Sequence, residues 1–202
     1  AFASGQDIRE FQAMKTPEEW KHHSKIVEDA WRRIYQVELP VIAMVHGFAM
    51  GGAFGLLAMC DLRYSAEDGV FAIPAARLGV VYPEILTRRI INLIGPANTK
   101  EILMTGRRYS AKEVCEMGFV NRVLPKDKLE TYVREMAAKI AVNAPLTVKN
   151  SKQMVNLIEE DALNGDDKER ANALRQEGFN SQDFKEGVHA FLEKRPPVFK
   201  GI

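Results

Sequence analysis

The chain has 202 residues, 46% of them hydrophobic and 27% charged, the proportions of a soluble globular protein that buries its own core. Lysine plus arginine number 28 and aspartate plus glutamate 27, so the net charge of +1 speaks against a large nucleic-acid footprint and against a polybasic membrane anchor. Two cysteines, Cys60 and Cys115, are too few for a disulfide framework or a thiolate zinc site, and no apolar run reaches the roughly 18 residues that cross a bilayer.

Both cysteines sit in apolar, helix-like surroundings and read as buried free thiols in a reducing compartment. No signal peptide opens the chain, so a cytoplasmic location is expected. The opening Ala1-Phe2-Ala3-Ser4-Gly5-Gln6-Asp7 has no initiator Met. It reads as the end of a strand running into a loop, so further strands are expected ahead of it.

Thr16-Pro17-Glu18-Glu19 starts a helix: Thr caps, Pro suits the first turn and Glu favours the positive end. The helix is predicted to reach about Gln36 and to stop before Pro40. Trp20, Ile26, Val27, Ala30, Trp31 and Ile34 keep helical spacing along it. His22 and His23 are adjacent, so they do not face one another and are not expected to share a metal ion. Residues 41–46 form a continuous apolar run, as in a strand buried on both faces. A glycine-rich turn, Gly47-Phe48-Ala49-Met50-Gly51-Gly52, leads into a short apolar helix over 53–60. Strands are predicted at 61–65 and 70–73. Helices follow at 83–93, 96–104 and 111–117, the last with Ser110 and Glu113 as a capping box and Gly118 at its end. A short strand spans 119–124. From Lys128 the chain is helical, broken at Pro145, at Asn164-Gly165 and at Gly178, with a last helix over 183–193. The fold class is therefore α/β: a core over residues 1–125 and a helical region over 126–202.

The stretch from His46 to Gly55 carries the strongest chemical signal. A buried strand delivers glycines that open a helix, where free N–H groups and the helix dipole favour negative charge. The spacing is neither a dinucleotide fingerprint nor a P-loop. It suits an anion site, an oxyanion hole, or glycines that only let strand and helix pack closely. Ser4-Gly5-Gln6-Asp7 has the same look, and two such loops can each give one N–H to one oxygen.

Several motifs together resemble the enoyl-CoA hydratase/isomerase (crotonase) superfamily. Ala1 to Glu10 resembles its first signature. His46-Gly47-Phe48-Ala49-Met50-Gly51-Gly52-Ala53, followed by Cys60-Asp61, resembles its second. Phe71, Pro74, Leu78-Gly79, Thr105-Gly106-Arg107, Gly118, Val120-Asn121 and Phe191-Leu192-Glu193-Lys194-Arg195 follow in family order, so the resemblance spans the chain. It implies a crotonase-like spiral of β-β-α units with a C-terminal helical trimerisation region. It also implies an acyl-CoA substrate whose thioester enolate is held by the N–H groups of Gln6 and Gly52. Ser4, Arg9, Phe191 and Lys194 fall where such proteins meet coenzyme A. The implied assembly is a homotrimer or a dimer of trimers, with no cofactor beyond the CoA of the substrate and no metal.

The resemblance also has departures. Where family hydratases carry two glutamates, this chain has Gly55 and Ala75, which neither transfer a proton nor hold a water. Tyr82 and Glu84 stand nearby in sequence, in Gly79-Val80-Val81-Tyr82-Pro83-Glu84, a pattern similar to the family's methylmalonyl-CoA decarboxylases. Tyr82 is a candidate proton donor or carboxylate holder. Glu84 is a candidate base, or else only a first-turn helix carboxylate. Decarboxylase- or isomerase-type chemistry is therefore favoured over simple hydration. Hydration by substitute groups and a non-catalytic CoA-binding or assembly protein are the alternatives. Peptide hydrolysis is disfavoured, because no Ser stands in the 47–55 turn.

Overall fold

In a computed structural model, residues 1–159 and 165–202 are described, so the break read at Asn164 lies outside the described residues and α9 starts at Gly165. The chain divides into two compact units. One comprises residues 1–37 and 41–133, the other residues 38–40 and 134–202.

The first unit opens with α1 (Ile8–Ala13) and α2 (Pro17–Tyr35). Thr16 and Glu19 make the capping box of α2, and its apolar face buries Trp31 and Tyr35. Then come β1 (Ile42–Val45), β2 (Phe48–Met50), α3 (Gly52–Met59), β3 (Leu62–Ala66), β4 (Val70–Ala72) and α4 (Ala75–Leu78). They are followed by α5 (Glu84–Thr105), β5 (Tyr109–Ser110), α6 (Ala111–Glu116) and β6 (Arg122–Leu124). One sheet has the order β1-β3-β6, all parallel; the other has the order β2-β4-β5, with β5 antiparallel. From β1 to β4 successive strands alternate between the two sheets, and the pairs β1-β2 and β3-β4 are each followed by a helix; β5 stays in the sheet of β4, and α6 separates it from β6. The first two pairs are the repeat the resemblance implies.

The buried core joins both sheets to α3 and α5. Phe54 stacks on Phe119 with ring centroids 4.1 Å apart, and Phe71 packs edge-on to Phe54. Val45, Leu57, Met59, Ile73, Leu86, Ile90 and Ile102 are fully buried around them.

Several elements differ from the sequence reading. Residues 48–50, read as part of a turn, form β2, because Ala49 pairs with Phe71 and its side chain is fully buried. Residues 119–121, read as strand, lie outside β6: the Phe119 and Val120 N–H groups both bond to Val114 O, closing α6 instead. The helices read at 83–93 and 96–104 are both present and meet at Gly95, whose φ of 74° breaks α5 just before Pro96, whereas α9 runs through the break read at Gly178 to Asn180. α1 and α4 have no counterpart in the sequence reading, since both are too short to show a helical period.

The second unit is helical. α7 (Lys126–Ala141) crosses the division between the units, and α8 (Pro145–Glu159), α9 (Gly165–Asn180) and α10 (Gln182–Glu193) complete it. Leu157, Leu174 and Ala190 are buried there. The buried Asp183 carboxylate accepts the N–H groups of Lys200 and Gly201 at 2.7 and 2.8 Å, fixing the last residues to α10. No helix among the described residues is long and apolar enough to cross a membrane.

Candidate active site at the start of α3

The site is built on backbone. Gly47, at φ 62°, turns the chain from β1 into β2. Gly51, at φ 55° and ψ −117°, turns it again into α3 and sends its N–H to Ala72 O at 2.8 Å. L side chains rarely adopt such angles, so the turn needs glycine. α3 has no side-chain cap.

The opening loop is tied to the same place. Ala3 donates to Phe48 O at 3.0 Å and accepts from the Met50 N–H at 3.1 Å. This ladder carries Gly5 against the turn. A Cβ at Gly5, which has φ 88°, would lie 2.6 Å from Met50 O and 2.9 Å from Gly52 N, so no larger residue fits. From Gly52, the Cβ position is 3.4 Å from Gln6 Cγ and 3.7 Å from Gln6 N. The structure therefore brings Gln6 and Gly52 together, which spacing alone did not settle. Among the described residues, neither the Gln6 nor the Gly52 N–H has an acceptor. Orphan N–H groups at a helix start, with the helix dipole behind them, attract a negatively charged oxygen.

Tyr82 reaches this turn and Glu84 does not. The Tyr82 hydroxyl lies 3.7 Å from the Cβ position of Gly51 and has no hydrogen-bond partner among the described residues. Burial pushes its pKa up to about 12, so it stays a neutral donor at ordinary pH. Glu84 is the first residue of α5, is exposed, and accepts from Arg88 Nε at 2.8 Å. Its carboxylate serves the helix start, the plainer of its two readings.

The remaining candidates are surface groups. Ser4 is exposed. Arg9 is exposed and pairs with Asp7 at 2.9 Å, while Asp7 caps α1. Phe191 is exposed in the second unit, and Lys194 ends α10 there at φ 55°. His22 is exposed. His23 Nε2 is buried without a partner, beside the Phe11 ring at 5.7 Å. No metal-ligand cluster occurs among the described residues.

Sequence reasoning missed one neighbour of the site. A Cβ on Gly55 would stand 2.7 Å from Trp31 Cζ2, 2.9 Å from Trp31 Cε2 and 3.1 Å from Leu86 Cδ2. The indole of α2 thus fills the space where a side chain at 55 would begin. Ala75 is buried at the head of α4. The helical period of α2 marked Trp31 as apolar-facing, but nothing in the sequence said which helix it would meet.

The chain is similar to known proteins over its whole length. Residues 1–202 match the sequence model of the family described as Enoyl-CoA hydratase/isomerase. A probable mitochondrial enoyl-CoA hydratase of Dictyostelium discoideum is 35% identical over 200 residues, 98% of this chain and 70% of that protein. A carnitinyl-CoA dehydratase of Salmonella paratyphi A is 38% identical over 171 residues, 83% of this chain and 66% of that protein. The crystal structure of an enoyl-CoA hydratase/carnithine racemase from Magnetospirillum magneticum superposes with a TM-score of 0.93 at 32% identity. It covers 100% of this chain and 75% of that one.

Proposed function

The chain belongs to the enoyl-CoA hydratase/isomerase family, and we propose that it binds an acyl-CoA and stabilises the enolate of its thioester between the N–H groups of Gln6 and Gly52. The observation that carries this reading is the convergence of two loops on two unpartnered N–H groups at the start of α3. Each such donor is worth about 3 kcal/mol of transition-state stabilisation.

Within that class, decarboxylation of a malonyl-type thioester fits the residues best. It needs an oxyanion site, a holder for the carboxylate and a proton, but no glutamate pair. The bond to the departing carboxylate breaks, CO2 leaves, and the electron pair passes into the enolate at the two N–H groups. The α carbon then takes a proton from the Tyr82 hydroxyl or from water. The neutral phenol, held protonated by burial, suits the donor role rather than that of a base. Isomerisation with an unusual base is the nearest variant. Glu84, paired with Arg88, is the weaker candidate for that base. Ser4, Arg9, Phe191 and Lys194 are proposed to meet the CoA portion, and no cofactor beyond that CoA is required. The proposed assembly is a homotrimer or a dimer of trimers, which sedimentation would check.

A second reading has its own support. The relatives named above are called hydratase and dehydratase, which favours hydration by groups that substitute for the glutamates missing at Gly55 and Ala75.

A product-resolved panel tests these readings. Malonyl-, methylmalonyl-, crotonyl- and 3-enoyl-CoA are incubated with the protein and products identified by mass. Loss of CO2 from a malonyl-type thioester with little conversion of crotonyl-CoA supports decarboxylation. Rapid hydration of crotonyl-CoA contradicts it in favour of the second reading. Acyl-CoA binding without turnover of any member makes this a binding protein.

A further inference from the structure

A helix that closes on a left-handed residue ordinarily does so with glycine, which has no Cβ to strain. α4 and α5 follow that rule, with Gly79 at φ 69° and Gly106 at φ 56°. α10 does not. It closes on Lys194 at φ 55°, and among the described residues no other non-glycine has a positive φ. The Lys194 N–H bonds to Phe191 O at 3.3 Å and the Arg195 N–H to Ala190 O at 3.0 Å, the pattern that glycine usually completes. A lysine persists there only where its surroundings fix the backbone, and residues held in this way gather at functional sites.

The surroundings here are a carboxylate clamp. Glu186, about two turns earlier on α10, takes Arg195 Nη1 at 2.6 Å on one oxygen and Nη2 at 3.0 Å on the other, and it also accepts the Val198 N–H at 2.9 Å. Arg195 Nε donates to Glu193 at 2.6 Å. Beyond Pro196 and Pro197, the buried Asp183 carboxylate holds the Lys200 and Gly201 N–H groups. The chain on both sides of Lys194 is thus fixed. Lys194 itself is exposed, and its ammonium pairs with no carboxylate among the described residues. The Arg195 guanidinium and the Val198 N–H hold the Glu186 pKa down to about 2, so the clamp keeps its charge at ordinary pH.

We propose that Glu186 is a positioning residue: by gripping Arg195 it keeps Lys194 in the left-handed conformation that aims its ammonium at the phosphates of coenzyme A. The inference rests on the acyl-CoA reading above, in which Lys194 meets the CoA portion, and adds what directs it there. The phosphates are the charged groups of that portion, so they are what an unpaired ammonium attracts. Lysine is a point charge on a flexible stem, and the direction in which the stem leaves α10 is set by the backbone alone.

The test measures binding of acetoacetyl-CoA and of acetoacetyl-pantetheine, which carries the same thioester without the phosphates, to the full chain by calorimetry. The proteins are wild type, Glu186→Gln, Lys194→Ala and the double variant. Glutamine keeps the size of Glu186 and breaks the fork. Lys194→Ala is expected to weaken acetoacetyl-CoA binding about tenfold and Glu186→Gln about fivefold, each leaving acetoacetyl-pantetheine within about twofold. The double variant should bind no more weakly than Lys194→Ala, because Glu186 acts through Lys194. Arg195→Gln cuts the same fork from its other side and should repeat the selective loss, so the test stands even where Glu186→Gln disturbs α10. Equal losses for both ligands, losses that add in the double variant, or no loss for acetoacetyl-CoA overturn the inference while the acyl-CoA reading survives. Binding of neither ligand by wild type overturns that reading, and this inference with it.

Discussion

The two ends of α3 are treated in opposite ways. At its C-terminal end the carbonyls are taken by buried cations from elsewhere in the fold. Arg63 of β3, 3% exposed, donates from Nη1 to Leu57 O at 3.2 Å and to Cys60 O, and from Nε to Phe119 O. Arg89 of α5 donates from Nε to Ala58 O at 3.2 Å and stacks over the Tyr35 ring at 4.6 Å. At the N-terminal end there is no cap, and the first N–H is left to face the Gln6 loop. A helix end that only has to be stable is satisfied from within the chain; one left open in a close-packed unit is kept for a ligand. The contrast separates stability from function along a helix of eight residues.

The largest expected effect breaks the closed end. Arg63→Met strands buried carbonyls and should cost about 3–5 kcal/mol in urea unfolding. A loss below about 1 kcal/mol would show that this end is not what holds α3. The open end should behave in reverse. Gly52→Pro deletes one N–H at a helix position that tolerates proline, so turnover should fall about 100–1,000-fold with little change in melting temperature. Gly52→Ala keeps the N–H and meets Gln6 Cγ at 3.4 Å, so it should retain most activity. Tyr82→Phe should lower kcat about 100-fold. Because burial holds the wild-type phenol near 12, its ionisation should leave no alkaline limb in the rate below about pH 10. A limb there that vanishes in Tyr82→Phe would contradict the neutral-donor role.

The smallest effect lies away from the site, at a capped helix start that serves as a control. Glu113 receives the Ser110 N–H at 2.8 Å and Arg107 Nη1 at 2.7 Å, and these hold its pKa down to about 2. A carboxylate whose folded pKa is depressed adds stability that is fully present above its ordinary value of 4.5. That stability is lost as pH falls toward 2. Glu113→Gln should therefore lower the melting temperature at pH 7 and lose that difference progressively as pH falls from 4.5 through about 2, without altering turnover.

The open end was legible in the sequence and the closed end was not. Glycines between an apolar strand and an apolar helix announce free N–H groups, whatever lies around them. The α/β alternation was legible in the same way, from apolar runs and their punctuation, while the β-β-α repeat came only from the family resemblance. β2 escaped, since three residues between two glycines look like a turn until Ala49 is seen paired with Phe71. Arg63 gave no signal either, because a buried arginine is defined by the carbonyls it meets. Those come from residues up to 56 positions away in the chain. The meeting of Gln6 with Gly52, and of Trp31 with Gly55, likewise depends on long-range packing that no local pattern encodes. Glu84 was legible in its plainer sense, as the carboxylate that follows Pro83 at a helix start.

The central claim is that the open end of α3 receives an enolate oxygen. Its most direct test is a titration with acetoacetyl-CoA, which forms an enolate readily, on wild type, Gly52→Ala and Gly52→Pro, following heat and enolate absorbance together. The account predicts tight binding with growth of the enolate band for wild type and Gly52→Ala. For Gly52→Pro it predicts binding weakened about 100-fold or more and no enolate band, at unchanged fold. Equal affinity and an equal enolate band in all three proteins would contradict it.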